Sequence, residues 1–341
     1  MMYNNRKSRK GEIGVNVESV WRLDGAKKRA WQDFLARAGL EPDENREQTV
    51  LVWDNDTLIA TGSRQENLLK CIAVDPTRQG EGLLASVLTA LRQEAFQNGY
   101  RHLFLYTKPQ NEYLFRSLFF YPVAKTEDVL LMEDSKDGIG RFLDTLTVNV
   151  QGKVVGAAVM NCDPFTLGHQ YLIETAAAEC DHVYIFVLSE DKGYFSAEDR
   201  LAMVKAGTAH LPKVTVLSTG PYLISSATFP TYFLKNREQA GQIHCLLDIE
   251  IFCKYFAAKF GITRRYVGTE PLSPMTNLYN EALGQFLPDR GIEVRKISRL
   301  EKDGAPVSAS VVRKALQEKD AVASMVPGTT LAYLQDKKFI E

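Results

Sequence analysis

The stretch Val154-Val155-Gly156-Ala157-Ala158-Val159-Met160-Asn161-Cys162-Asp163-Pro164-Phe165-Thr166-Leu167-Gly168-His169 joins an apolar run to the start of a helix. The run has the length of a parallel-sheet strand covered on both faces, and Pro164 cannot continue it. Beyond the turn, Leu172, Ile173, Ala176, Ala177 and Cys180 recur at helical spacing, with Thr166 as N-cap and His169 in the first turn. A helix start leaves amides without intrahelical partners at the positive end of the dipole, so this turn suits an anion such as a nucleotide phosphate. Gly168 reads in the same sense: without a side chain it lets a triphosphate approach the backbone.

Thr-x-Gly-His by itself arises by chance, and a histidine early in a helix is often a polar surface residue. A second turn stands near the other end of the chain. Val307-Ser308-Ala309-Ser310-Val311-Val312-Arg313 again places small hydroxyl residues where a helix begins, with Arg313 in its first turn and Val312, Ala315 and Leu316 facing inward. Alone it reads as an N-cap followed by a solvated arginine. Between the turns, apolar strands at 154–160, 183–188, 214–217, 243–247 and 264–268 alternate with helical patterns. That alternation predicts a doubly wound parallel sheet, with both turns at the carboxyl ends of its strands.

Together the two turns resemble the signature of the HIGH-type nucleotidyltransferase superfamily, in which (H/T)xGH after the first strand and an (I/V)SxSxxR-like turn embrace ATP. Further blocks agree in order: 160–173, Ser189-Glu190-Asp191-Lys192 with 195–200, 224–235, and Arg265-Tyr266-Val267-Gly268-Thr269-Glu270-Pro271. With these, most of the chain from about residue 150 onward resembles the citrate lyase ligase family. The resemblance implies adenylyl transfer from ATP with Mg2+, His169 and Arg313 acting on the reacting phosphates. Thr166, Gly168, Ser308, Ser310, Gly268 and Glu270 would surround the nucleotide. It further implies acetate as the nucleophile, acetyl-adenylate as the intermediate, and as acceptor the thiol of the phosphoribosyl-dephospho-CoA arm on the citrate lyase acyl carrier subunit. Lys192, Arg200 and Lys235 are candidates for an anionic substrate, against the simpler readings of surface lysines and an arginine on the solvated face of a helix capped by Ser196 and Asp199. Asp163 either orients the turn or neighbours magnesium.

The earlier part of the chain has a different pattern. Val50 to Trp53, Leu58 to Ala60 and Leu69 to Val74 read as strands, and Asp75-Pro76-Thr77-Arg78-Gln79-Gly80-Glu81-Gly82 leads into a helix with an apolar stripe. A strand over 102–106 and a short helix over 111–118 follow. This order resembles the GNAT acetyltransferase fold, a mixed α+β domain. Gln79, Gly80 and Gly82 match its acetyl-CoA loop (Q/R)xxGx(G/A), with Leu84 in place of the last small residue. Phe115 stands where many members carry a tyrosine that protonates the departing thiolate, and phenylalanine has no proton to give. The resemblance therefore implies a groove for a CoA-like arm with ordinary amine acetylation in doubt, or a scaffold alone. The charged, glycine-bearing stretch 133–140 marks the boundary, dividing the chain into 1–145 and 146–341.

Composition agrees. At 341 residues the chain exceeds what one core usually organises. Lys plus Arg number 41 against 42 Asp plus Glu, so no nucleic-acid or membrane partner is expected. The basic start, Arg6, Lys7, Arg9 and Lys10, lacks a signal-peptide core and reads as a solvated tail, so the expected location is the cytoplasm. The five cysteines include no CxxC pair, and the histidines lack zinc-site spacing. Cys162 reads as packing beneath the turn. Two other functions stay open at this point. One is an adenylyltransferase ending at a dinucleotide-type product, of the pantetheine-phosphate or nicotinamide-mononucleotide kind, fused to an acetyltransferase-like domain. The other is a nonenzymatic sensor of CoA and adenine nucleotide.

Overall fold

The computed structural model describes residues 15–149, 152–191, 193–224, 237–269, 274–302 and 305–340. The expectations at Arg6, Lys7, Arg9, Lys10, Lys192, Lys235 and Glu270 lie outside the described residues. The chain divides into two compact units, one running through Val123 and including Glu127–Lys136, the other taking up its main run at Asp137.

The first unit contains β1 (Val15–Val20), α1 (Gly25–Arg37), β2 (Gln48–Asp54), β3 (Thr57–Gln65), β4 (Leu68–Val74), α2 (Leu83–Gln97), β5 (Phe104–Thr107), α3 (Glu112–Arg116), β6 (Tyr121–Lys125) and β7 (Leu130–Glu133). They form a seven-stranded sheet in the order β1-β2-β3-β4-β5-β7-β6. Strand alternation splits its core into two layers. Val50 and Val52 pack with Val87, Leu88 and Leu91 of α2, while Leu51 packs on the other face with Trp31, Phe34 and Leu35 of α1. Gly62 allows α2 its close approach, since a Cβ there would lie 2.6 Å from Val87. β1 to β4 are antiparallel, whereas β4 and β5 are parallel and pair at Leu68↔Phe104 and Leu69↔Leu105. Pairing stops there, so the two strands part toward Val74 and Thr107.

The second unit contains α4 (Gly138–Asp144), β8 (Val155–Met160), α5 (Leu167–Glu179), β9 (His182–Val187), α6 (Ala197–Thr208), β10 (Val214–Ser218) and α7 (Arg237–Ile251). A π turn over Phe252–Ala257 carries α7 into α8 (Ala258–Phe260). Then come β11 (Arg264–Gly268), α9 (Pro274–Phe286), β12 (Glu293–Ile297), the small hairpin β13 (Glu301–Lys302) and β14 (Ala305–Pro306), α10 (Ala309–Glu318) and α11 (Gly328–Asp336). β8 to β12 form one parallel sheet in the order β10-β9-β8-β11-β12. β8, the strand of the opening stretch, is thus central. The chain winds outward from it first to one side and then, through β11, to the other, placing the crevice of a doubly wound sheet at the carboxyl ends of β8 and β11.

One expected strand is a helix. Residues 243–247 lie within α7, where His244, Cys245, Leu247, Asp248, Ile249 and Ile251 are all buried. A short apolar run on a helix covered from several sides cannot be told from a buried strand by its pattern. The fifth strand is β12, Glu293-Val294-Arg295-Lys296-Ile297. It lies at the sheet edge, is partly exposed throughout and carries three charges, so it shows no apolar run.

Candidate active site

The TxGH turn is closed by a reciprocal cap. The Thr166 hydroxyl accepts the His169 amide at 3.4 Å, and the Thr166 amide donates to His169 Nδ1 at 3.1 Å. Histidine here takes the place that glutamate usually fills in a capping box. Accepting a backbone N–H requires a lone pair on Nδ1, so the hydrogen-bond pattern assigns the ring proton to Nε2. Phe165 stacks beside the imidazole, with centroids 6.0 Å apart and planes within 13°. Burial, and secondarily the charge of Arg299, push the His169 pKa down to about 4. The side chain is therefore a neutral Nε2–H donor at neutral pH.

The second turn packs directly against the first. Ser308 caps α10, accepting the Val311 amide at 3.4 Å, and its hydroxyl lies 3.0 Å from that of Ser310. Because α10 begins at Ala309, Arg313 is its fifth residue rather than part of its first turn. It stands one turn beyond Ser310 on the same face, and both line the cavity. The Arg313 guanidinium donates to the Asp163 carbonyl and lies 3.5 Å from the Asp163 carboxylate. That carboxylate is buried and accepts the amides of Tyr194 and Phe195 at 3.0 and 2.9 Å. Of the two readings of Asp163, orientation of the turn is the one its bonds describe.

Gly168 has a further partner. A Cβ at this position would lie 2.9 Å from the Val307 carbonyl oxygen, so the missing side chain makes room for the second turn's backbone. Arg200 does not lie on a solvated face. It is fully buried, and its guanidinium donates to the Asn161 carbonyl at 3.0 Å, to the Asn161 side chain and to the Glu190 carbonyl. It ties the turn after β8 to the loop after β9, leaving Nε as its one buried donor without a bond among the described residues. The expected Ser196 and Asp199 capping box is present at the start of α6. Cys162 is buried in the core cluster, where loss of solvation pushes its thiol pKa up.

These elements enclose a cavity of about 640 Å³ at the carboxyl ends of β8 and β11. Thr166, Gly168, His169, Gly268, Ser308, Ser310 and Arg313 all line it. The Gly268 carbonyl accepts from Asn280 at 3.0 Å. Arg299 lines the cavity as well, its Nε donating to the Thr269 carbonyl at 2.7 Å. It follows the unrecognised edge strand β12, and nothing in its sequence surroundings singles it out.

In the first unit, the parting of β4 and β5 opens a groove of about 690 Å³ beside the start of α2. Gln79, Gly80 and Gly82 line it together with Ile72, Val74 and Tyr106. Gly80 and Gly82 have φ of +90° and +76°, a backbone region that strongly favours glycine. Since α2 begins at Leu83, Leu84 is already helical. Gly80 and Gly82 thus precede the helix, and Leu84, at the last position of the match, lies within its first turn. Phe115 is buried at the groove, whereas Tyr113 is 86% exposed and does not line it.

Residues 155–334 match the family profile described as the citrate lyase ligase C-terminal domain, and residues 18–121 match the acetyltransferase (GNAT) family. The citrate pro-3S-lyase ligase of Klebsiella pneumoniae is 40% identical over 319 residues, covering 91% of this chain and 93% of that protein. The ligase of the same name from Escherichia coli K12 is 38% identical over 326 residues, covering 93% of each. Among solved structures, Escherichia coli ElaA covers 36% of this chain and 99% of its own at 12% identity, with a TM-score of 0.33. An acyl-CoA N-acyltransferase from Pseudomonas aeruginosa covers 36% and 100% at 12% identity, with a TM-score of 0.32. With relatives this similar over nine-tenths of its length, the chain belongs to the citrate lyase ligase family.

Proposed function

We propose that the protein acetylates the thiol of the CoA-like arm on the citrate lyase acyl carrier subunit, forming acetyl-adenylate from acetate and ATP and releasing pyrophosphate and AMP. The observation that carries this reading is the packing of the two turns around one cavity. The neutral His169 Nε2–H, the start of α5 at Gly168 and the Arg313 guanidinium converge there from different elements. A carboxylate oxygen attacks the α-phosphorus, the bond to the bridging oxygen breaks, and pyrophosphate leaves. Negative charge grows on the non-bridging and leaving oxygens, and donors fixed beforehand by the Thr166 cap and by Asp163 stabilise it without reorganising. Ser308 and Ser310 donate to the leaving phosphates, and Gly268 flanks the nucleotide.

Among the described residues no group of three His, Cys, Asp or Glu side chains is placed to hold a metal ion. Magnesium accompanying ATP would take phosphate oxygens and water as ligands, as the ion prefers, and would offset charge on the phosphates. In the first unit, the groove beside Gly80 and Gly82 presents amides at a helix start to the pyrophosphate of the carrier's arm. Among the described residues no helix is long and apolar enough to cross a membrane, and the reading places the enzyme in the cytoplasm with its nucleotide. The test is exchange of labelled pyrophosphate into ATP, expected only with acetate present. Exchange driven by phosphopantetheine or nicotinamide mononucleotide and not by acetate would instead establish a dinucleotide-forming adenylyltransferase.

A further inference from the structure

Arg265 is 2% exposed, lines the cavity, and has a role not yet accounted for. It stands beside Ala157 in the ladder between β8 and β11, below the rim. Strand alternation sets its direction. Tyr266 bonds Glu179 at 2.9 Å and a Cβ at Gly268 would touch Leu172, so these two residues face α5 and the phosphate turn. Arg265 and Val267 therefore face the opposite side of the sheet. There the guanidinium carbon lies 4.7 Å from the centre of the Phe252 ring, and Leu188, Ile224 and Tyr279 line the same cavity.

Phe252 covers one face of the guanidinium and the Tyr279 hydroxyl hydrogen-bonds to it, yet among the described residues two of its nitrogens, Nε and Nη1, have no hydrogen-bond partner. The neighbouring carboxylate, Asp248, is committed elsewhere, accepting the Ile224 amide at 2.8 Å and the Tyr279 hydroxyl. A buried cation with unmet donors is costly unless something completes it. Its surroundings select what that is. The Asp248 carboxylate nearby repels a multiply charged polyphosphate, and Val267, Leu188 and Ile224 add apolar lining to the same cavity, which suits a small singly charged anion with an apolar end.

We propose that Arg265 binds the carboxylate of the small monocarboxylic acid that attacks ATP, with the acid's alkyl end against Val267, Leu188 and Ile224. This rests on the adenylating reading above. One carboxylate oxygen accepts from the guanidinium, and the other is left to form the bond to the α-phosphorus as the bond to pyrophosphate breaks. The acid and the phosphates thus enter one cavity from opposite sides of the sheet ends.

Pyrophosphate exchange kinetics test this. If the wild-type protein binds ATP but shows no acetate-dependent exchange, the adenylating reading falls, and this proposal with it. If wild-type exchange depends on acetate, Arg265→Gln is expected to raise the KM for acetate by roughly 10- to 100-fold, the scale of one lost charge-assisted hydrogen bond, while the KM for ATP stays within about twofold. Arg265→Lys should recover part of the loss. An unchanged acetate KM in folded Arg265→Gln, or equal changes in both constants, overturns the assignment. Should Arg265→Gln fail to fold, competition on the wild-type protein decides. Propionate should compete with acetate and neutral acetamide should not; equal competition by both overturns the proposal.

Discussion

The Cα of Gly168 faces the carbonyl of Val307 so closely that a Cβ would sit 2.9 Å from its oxygen. The two motif turns, far apart in sequence, are therefore fitted to one another through a position without a side chain. Gly168 lies in the first turn of α5 and has no positive φ, so alanine there suits the helix and by propensity alone adds about 0.5–1 kcal/mol of stability. The expected result of Gly168→Ala is a near-normal melting curve with ATP-dependent turnover down by about tenfold or more, because Ser308 is pushed off its place. Unimpaired turnover would show that the contact is not needed.

His169 should behave as an uncharged donor. His169→Ala is expected to lower turnover by roughly a hundredfold or more, the effect of losing one preorganised donor to a developing anion. Arg313→Ala should do the same. Thr166→Ala removes the cap that holds the ring, costing about 1 kcal/mol of stability as well as activity. Near wild-type exchange in folded His169→Ala would remove the imidazole from the mechanism.

The same residue has a pH signature. Its pKa is about 4 when folded against an ordinary 6.5, so between these values the unfolded chain holds a proton that the folded chain lacks. Its contribution to stability is therefore present above pH 6.5 and is lost as pH falls toward 4. Urea denaturation at pH 4.5 and pH 7.5 should show a smaller stability difference for His169→Ala than for wild type. In the apoprotein, the imidazole resonances should titrate near 4.

Asp163 couples three segments and should act on both stability and activity. Asp163→Ala leaves the amides of Tyr194 and Phe195 without their acceptor, an expected loss of about 1–3 kcal/mol per stranded group, and removes the carboxylate beside Arg313 while keeping the backbone carbonyl it donates to. Ser196→Ala, by comparison, should cost about 1 kcal/mol and leave turnover per folded molecule unchanged. A melting temperature for Asp163→Ala no lower than for Ser196→Ala would contradict the coupling.

The first unit is tested by separating the half-reactions. Gly82 has φ of +76°, so Gly82→Val strains the loop and places bulk in the groove. Acetate-dependent pyrophosphate exchange should persist while transfer of acetyl to the carrier thiol falls. Near-normal transfer by a folded variant would make this unit a scaffold, and equal loss of both would indicate general damage.

The central strand, its turn and the capped start of α5 were legible in the chain because each depends on neighbours in sequence: an apolar run, a proline, and a Thr three residues before a His. The serine cap of α10 was legible for the same reason. Residues 243–247 were not, because burial on several sides of a helix erases the periodicity that separates helix from strand. β12 was missed for the opposite reason, an edge strand needing few apolar residues. Local sequence thus determined which segments form turns, caps and central strands. The tertiary structure alone decided that Val307 closes on Gly168, that Asp163 anchors Arg313, that Arg200 is buried, and that Arg265 reaches the cavity from the far side of the sheet. Those relations come from packing between segments up to 150 residues apart, as Asp163 and Arg313 are, and no local pattern of residues encodes them.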